Sequence, residues 1–240
     1  MTRRSAATAS AAKNARKRRL RFSPKTRETI AAVANLASQY YREHGRDFPW
    51  RHERNGFRLA VAEILLQKTR AESVVPVYER IISVYRTPKI LASADPVEIE
   101  RILRPLGLSR KRSLQLLGMA EGIVRFGPNL FDDWHKTANR LPGVGAYGAR
   151  AIACFGRDQP VGIVDTNVAR ILRRVFRIKS TDSRAIIYQH LANTIAESSD
   201  DARTMSFGLL DLGAMACLPR PLCEKCPFAT FCPRYCVPRT

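Results

Sequence analysis

Acidic residues are scarce in this 240-residue chain: 21 aspartates and glutamates stand against 41 lysines and arginines, a formal net charge of +20. Such an excess is typical of proteins that bind a polyanion, most commonly nucleic acid. Nine of the basic residues lie in the acid-free stretch 1–25, and a solvated arm would explain those alone. The other eleven net charges (20 minus 9) are spread along the chain. The sequence therefore predicts salt-sensitive binding through phosphate contacts.

Long apolar runs are also missing. No stretch approaches the ~18 apolar residues that a membrane span needs, and the first residues lack the apolar core of a signal peptide. We therefore expect an intracellular protein without a membrane partner. Residues 1–24, rich in Ala, Ser and Arg, are predicted to be a disordered basic arm, and their composition also resembles a transit peptide.

Alternation of apolar and polar residues, the mark of a half-buried strand, is rare, and residues 160–164 are the best short candidate. Helical periodicity dominates instead. Apolar residues spaced i, i+3, i+4, i+7 and i+8 from Val168 to Phe176 predict an amphipathic helix. Prolines recur at intervals that suit short helices with brief connections. The predicted fold class is all-α.

Two glycines bracket a turn in the segment LPGVGAY at residues 141–147. Gly143, Val144 and Gly145 could bring the backbone close to a ligand and present free N–H groups, as helix starts do for phosphate. An ordinary helix–turn–helix also uses glycine at such a turn. The turn alone leaves both interpretations open.

Two carboxylates stand out. Residues 57–67, FRLAVAEILLQ, are predicted to form a helix that is apolar on nearly every side, and Glu63 interrupts it. A buried carboxylate is costly unless paired, and such groups concentrate at functional sites. An exposed stripe or an arginine partner would be the structural alternative. Asp165 precedes a predicted helix and suits an N-cap. The same position favours the ionised form, which can face a developing cation.

Four cysteines, with five, two and five residues between them, lie near the end of the chain: Cys217, Cys223, Cys226 and Cys232. This spacing indicates a metal or iron–sulfur site rather than disulfides. Zinc usually takes two close pairs, and here only Cys223 and Cys226 are close. Cys236 is a spare thiol within reach.

The motifs AEILLQKT (62–69), LPGVGAY (141–147), IVDTN (163–167) and the cysteine tetrad follow one another in that order. With them the chain resembles the helix-hairpin-helix DNA glycosylases of the endonuclease III superfamily, from about Phe48 to Cys232. The resemblance implies base excision repair of double-stranded DNA containing a mismatched or damaged base, by a monomer with a 4Fe-4S cluster. It also implies a six-helix barrel at 55–162, a cluster domain at 25–54 and 163–240, and a DNA cleft between them.

The resemblance also assigns roles. Asp165 would be the catalytic carboxylate that stabilises an oxocarbenium-like state at the sugar of a flipped-out base. The hairpin 143–145 would grip phosphate through its backbone N–H groups. Gln67 would fill the gap left by the flipped base. Leu108 and Ser109 would wedge against, or read, the opposite base.

Position 147 distinguishes the subfamilies. Relatives that also nick the backbone have a lysine there, and Tyr147 has no amine for a Schiff base. The chain therefore looks like a monofunctional glycosylase without lyase activity. With Glu63 and Asp165 retained, it resembles the mismatch-specific thymine glycosylases, which remove thymine or uracil opposite guanine. Glu63 would hydrogen-bond the pyrimidine, and Tyr147 would pack near the sugar and base.

Two alternatives remain. An adenine glycosylase, acting on adenine opposite guanine or 8-oxoguanine, shares Glu63 but usually has a small hydroxyl residue at 147 and an extra C-terminal domain. A non-catalytic DNA-binding iron–sulfur protein would use Glu63 and Asp165 only for structure. One feature departs from the family: five residues separate Cys217 from Cys223, where six are normal. Either the shorter loop still spans the same cluster, or Cys236 is recruited as a ligand.

Overall fold

The computed structural model describes residues 22–235, which fold into α-helices joined by short loops and 3-10 turns. These residues contain no β-strand, which confirms the all-α prediction. The basic arm predicted at 1–24 lies outside this range except for its last three residues, and Cys236 lies outside it as well. None of the helices in the described part of the chain is long and apolar enough to cross a membrane.

Eleven α-helices lie within residues 22–235. They are α1 (Pro24–His44), α2 (Gly56–Leu66), α3 (Ala71–Val84), α4 (Pro88–Ala92), α5 (Pro96–Leu103), α6 (Ser109–Phe126), α7 (Trp134–Arg140), α8 (Ala146–Arg157), α9 (Thr166–Val175), α10 (Ile186–Glu197) and α11 (Ala202–Met215). The helices predicted around residues 57–67 and 168–176 are confirmed as α2 and α9.

The strand predicted at residues 160–164 is wrong; this segment is an irregular connection between α8 and α9. Side chains of α10 form the hydrogen bonds to this backbone that a neighbouring strand would form in a sheet. The N–H of Gly162 donates to the Asn193 side chain at 2.9 Å, and its carbonyl accepts from Gln189 at 2.8 Å. The short apolar run was therefore a buried loop crossing α10.

Helices from the two ends of the chain pack on each other. The long helix α1 lies along α11, and α9 and α10 pack beside them. Gly208 permits this approach, because a Cβ there would lie 1.9 Å from the carbonyl oxygen of Ala37. The helices between form a second group, in which α6 contacts α4 and α5, and α8 contacts α2 and α7. The active-site candidates lie where these two groups meet.

Candidate active site

A cavity of about 440 Å³ opens between the two groups of helices. Its wall combines α2, the turn before α8, the first residues of α8 and α9, part of α11 and the segment before α2. Six of the predicted site residues line it: Glu63, Gln67, Gly143, Gly145, Tyr147 and Asp165. The fold thus gathers three motifs that are distant in sequence around one space.

Glu63 faces this cavity from α2, where it interrupts the apolar run of residues 59–66. Its neighbours Ala62 and Ile64 are buried, and Glu63 itself is half-buried. Burial raises the pKa of the Glu63 carboxyl to about 8, and no cation or hydrogen-bond donor of the described residues opposes that rise. The two structural alternatives for Glu63, a place on an exposed stripe of the helix and an ion pair with arginine, are therefore both wrong. Glu63 is protonated at neutral pH and can donate a proton into the cavity.

Asp165 is both the cap of α9 and part of the cavity wall. One carboxylate oxygen accepts from the N–H of Val168 at 2.7 Å, which confirms the predicted N-cap, and the other accepts from the Asn167 side chain at 3.1 Å. Burial raises the pKa of Asp165, while these hydrogen bonds and the charge of Arg170 work against the rise. The cap donors therefore favour a carboxylate at this position.

Tyr147 occupies the first turn of α8, between the two acids. The pKa of its phenol is raised well above the usual value, first by burial and then by the nearby Glu63 and Asp165 carboxylates, while Arg51 acts in the opposite direction. The phenol is therefore neutral. It supplies an apolar ring with one polar tip against whatever occupies the cavity.

The hairpin before α8 is shaped by glycine. Gly143 has φ +78°, and a Cβ there would lie 2.9 Å from the Cβ of Gln115. Val144 is buried and its N–H donates to Leu141, so it anchors the turn rather than facing a ligand. The N–H groups of Gly143 and Gly145 have no acceptor within residues 22–235. These two donors remain free for an anion.

Leu108 and Ser109 lie outside the cavity, in a shallow groove that also includes Leu114 and Pro142. Leu108 is 60% exposed and has the left-handed φ of +52°. Pro142 belongs to the hairpin, so the groove adjoins the free N–H groups. The other predicted contact, Gln67, is exposed and donates to the carbonyl of Gly143 at 2.8 Å.

A charged network that no sequence pattern predicted borders the cavity. Asp211 is fully buried on α11 and accepts two hydrogen bonds from Arg51, at 2.6 and 2.7 Å. It also accepts from the side chain and backbone N–H of Arg46, at 2.8 and 2.9 Å. Arg46 and Arg51 line the cavity. A single acid within the apolar stretch FGLLDLG is the same signal that identified Glu63, and it could have identified Asp211.

The four cysteines of the tetrad surround one small cavity of about 20 Å³, together with Arg174. Cys217 is buried and the other three are half-buried. The guanidinium of Arg174 donates to the Cys217 sulfur at 3.1 Å and to the carbonyl of Leu218 at 2.7 Å. No three His, Cys, Asp or Glu side chains of the described residues are placed to hold a single metal ion.

Comparisons with known proteins agree with this geometry. Residues 61–197 match the family described as "HhH-GPD superfamily base excision DNA repair protein". The thymine-DNA glycosylase of Aeropyrum pernix is 35% identical over 213 residues, 86% of this chain and 95% of that protein. The adenine DNA glycosylase of Mus musculus is 34% identical over 220 residues, 87% of this chain and 42% of that protein.

A solved structure of a thermostable thymine-DNA glycosylase superposes with a TM-score of 0.81 at 28% identity, over 88% of this chain and 98% of that one. The predicted family and fold are confirmed. Family membership, together with the carboxylate-lined cavity, favours an enzyme over a non-catalytic DNA-binding protein. The chain belongs to the HhH-GPD superfamily of base excision DNA repair proteins and is a DNA glycosylase.

Proposed function

We propose that this glycosylase is monofunctional and hydrolyses thymine or uracil mispaired with guanine. The observation that carries the proposal is that Tyr147, where lyase relatives have a lysine, lines the same cavity as Glu63 and Asp165. No lysine is among the described residues that line the cavity, so an enzyme amine for Schiff-base chemistry is lacking there. The Aeropyrum relative and the superposed structure both carry the name thymine-DNA glycosylase, which supports the same base.

The two acids suit the two sides of the bond that breaks. The protonated Glu63 can hydrogen-bond a base oxygen and lower the charge on the departing base. As the glycosidic bond breaks, its electron pair leaves with the base, and positive charge grows on the sugar. The Asp165 carboxylate stabilises that charge and orients a water, whose oxygen bonds to the anomeric carbon while one of its protons passes, by way of Asp165, to the anionic base. The product is a free base and an abasic site.

The surface around the cavity suits a distorted duplex. Gly143 and Gly145 would hold a phosphate through their free N–H groups. Gln67, at the rim, would fill the gap left by the flipped base, and Leu108 with Ser109 would contact the opposite base. The barrel of residues 55–162 and the domain of 25–54 and 163–240 would form the walls of this DNA cleft.

The cysteine tetrad would hold a 4Fe-4S cluster. All four thiols line one cavity, and only Cys223 and Cys226 form the close pair of which zinc sites usually have two, so the tetrad fits a cluster better than zinc. The five-residue interval suffices to bring Cys217 beside the other three thiols. A bound cluster would fix the basic loop around Arg220 and Lys225 against DNA rather than perform redox chemistry. A sample absorbing near ~400 nm would support this, and a colourless, zinc-loaded sample would refute it.

Adenine excision is the second candidate, because the mouse adenine glycosylase is 34% identical, close to the value for the thymine glycosylase. The Glu63 carboxyl could equally donate to a purine nitrogen. That relative extends well beyond the matched region, since this chain covers 42% of it.

Labelled duplexes containing G:T, G:U, A:8-oxoG and A:G pairs, treated with alkali after incubation, separate the two candidates. We expect cleavage at thymine and uracil only. Cleavage at adenine without cleavage at thymine or uracil would establish the second candidate instead. Strand nicking before alkali, or an adduct trapped by borohydride, would contradict the monofunctional assignment.

A further inference from the structure

Arg112 is a buried cation without an acidic partner. Only 2% of its surface is exposed, and among the described residues only backbone carbonyls and one hydroxyl accept from its side chain. Burying a charge is costly unless hydrogen bonds or an opposite charge compensate it. A neutral apolar residue would fill this place at lower cost, so the position of the guanidinium calls for a role beyond packing.

The guanidinium joins two loops that are far apart in sequence. One nitrogen donates to the carbonyls of Leu106 and Gly107, at 2.8 Å each. The other donates to the carbonyl of Gln67 at 2.6 Å and to the hydroxyl of Thr69. We name residues 67–70 the Gln67 loop and residues 104–108 the Leu108 loop. The side chain of Arg112 is thus shared between them.

Both loops contain a strained residue. Lys68 has φ +56° and Leu108 has φ +52°, left-handed conformations that are unfavourable for a non-glycine residue. Such conformations persist only where the surroundings enforce them. The backbone N–H of Arg112 also donates to the carbonyl of Leu108 at 3.0 Å. Arg112 therefore holds the Leu108 loop by its backbone and side chain together.

The guanidinium of Arg112 also caps the C-terminus of α2. Gln67 follows the last residue of α2, so the guanidinium lies at the negative end of the helix that carries Glu63. A lysine could not replace it, because one ammonium lacks the planar fork that reaches acceptors on both sides. The geometry requires arginine in particular.

We propose that Arg112 is a positioning residue that ties the Gln67 and Leu108 loops into one rigid unit, so that Gln67 and Leu108 enter the duplex together at a fixed separation. This inference rests on the proposed function, which gives these two side chains their places in the DNA. Loops held in the bound conformation before DNA arrives lose less conformational entropy on insertion. Arg112 itself need not touch DNA.

The test uses a duplex with a tetrahydrofuran abasic analogue opposite 2-aminopurine, whose fluorescence rises when the opposite base is unstacked. This substrate needs no excision, so it works whichever base the enzyme removes. Wild-type protein should bind with a clear rise. Arg112→Lys should bind undamaged duplex as wild type does, yet lose most of the rise. Its single-turnover excision should slow on the order of 100-fold, as expected for misplaced contacts.

Arg203→Lys is the matched control, because Arg203 is another guanidinium that donates to loop carbonyls, those of Arg51 and Glu53. We expect it to lower the melting temperature while keeping the fluorescence rise. Thr69→Val removes one acceptor of Arg112 without touching the buried charge, and should reduce the rise partially in a folded protein.

The outcomes separate the two proposals. A full rise with Arg112→Lys overturns the positioning role. If that variant does not fold, an unchanged rise with Thr69→Val overturns it instead. If Arg203→Lys loses the fluorescence rise to the same extent, the effect comes from general destabilisation, and the positioning role of Arg112 is rejected. No rise with wild-type protein would reject the insertion roles themselves, a failure of the proposed function rather than of Arg112 alone.

Discussion

Glu63 and Asp211 each interrupt an apolar helix near the same cavity, and their surroundings are opposite. Within residues 22–235 no cation lies beside Glu63, and burial raises its pKa to about 8. Burial acts on Asp211 in the same direction, but hydrogen bonds and charge from Arg51 and Arg46 outweigh it and lower the pKa of Asp211. One buried acid is therefore neutral and reactive, and the other is ionised and structural. Burial alone does not decide the role of an acid; its partners do.

Asp165 lies between these extremes, with hydrogen-bond donors and an open side toward the cavity. The variant Asp165→Asn keeps an oxygen for the cap but loses the negative charge. We expect excision to fall by about 10³-fold or more, since charge stabilisation in the transition state is lost. Single-turnover kinetics on a G:T duplex measure this. Binding to the abasic analogue should persist, and retained turnover would remove Asp165 from the catalytic role.

Removing the partnered acid should mainly affect stability. Asp211→Ala leaves Arg51 buried and unpaired, and breaking such a pair costs about 3–5 kcal/mol in free energy of unfolding. Urea denaturation measures the loss. Glu98→Ala is a control, because the ion pair of Glu98 with Arg101 is exposed and should contribute little. A loss at Asp211 no larger than at Glu98 would show that the network is not structural.

Removing the unpartnered acid should have the reverse effect on stability. The folded-state pKa of Glu63 is raised, so the unfolded state binds fewer protons between about pH 4.5 and 8, and ionisation increasingly destabilises the fold in that window. Glu63→Gln should therefore be more stable than wild type at pH 8, by about 2 kcal/mol after allowing for water in the cavity. The gain should vanish below pH 4.5.

The same variant tests the proton donor. Wild-type excision should decline as pH rises through about 8, because the Glu63 proton is lost. Glu63→Gln should be slower by about 10²-fold and lack that decline. Rates measured from pH 6 to 9 on one duplex compare the two profiles. An unchanged pH profile in the variant would assign the titration to another group.

The smallest effect is expected at Tyr147. Its neutral phenol contributes a ring surface and one hydroxyl, so Tyr147→Phe should reduce excision by about tenfold or less. Single-turnover rates at pH 7 measure the difference, with Tyr85→Phe, a buried tyrosine outside the cavity lining, as control. A loss as large as that of Asp165→Asn would mean that the hydroxyl takes part in the chemistry.

Local patterns predicted the helices α2 and α9. The apolar periodicity of α9 and the cap at Asp165 depend on residues within one or two turns, and both are confirmed. The prediction at residues 160–164 was wrong because a short apolar run has the same pattern whether it pairs with a strand or crosses a helix. This segment packs against α10, which is distant in sequence and so does not affect the local pattern.

The cavity could be predicted only in outline. The apolar pattern identified Glu63, the cap pattern identified Asp165, the resemblance added Tyr147, and the fold brings all three to one cavity. The Asp211 network was missed because its arginines are distant in sequence: Arg51 and Asp211 are 160 residues apart. The link that Arg112 makes between the Gln67 and Leu108 loops was missed for the same reason.

The sequence by itself determined the all-α class, the hairpin and the order of the four motifs, because periodicity, capping and turn formation act over a few residues. Only the tertiary structure decided which buried charges have partners. A pKa depends on the groups within a few ångströms of the side chain, and the chain brings those groups together from distant segments. Glu63 and Asp211 therefore look alike in the sequence and differ in the fold.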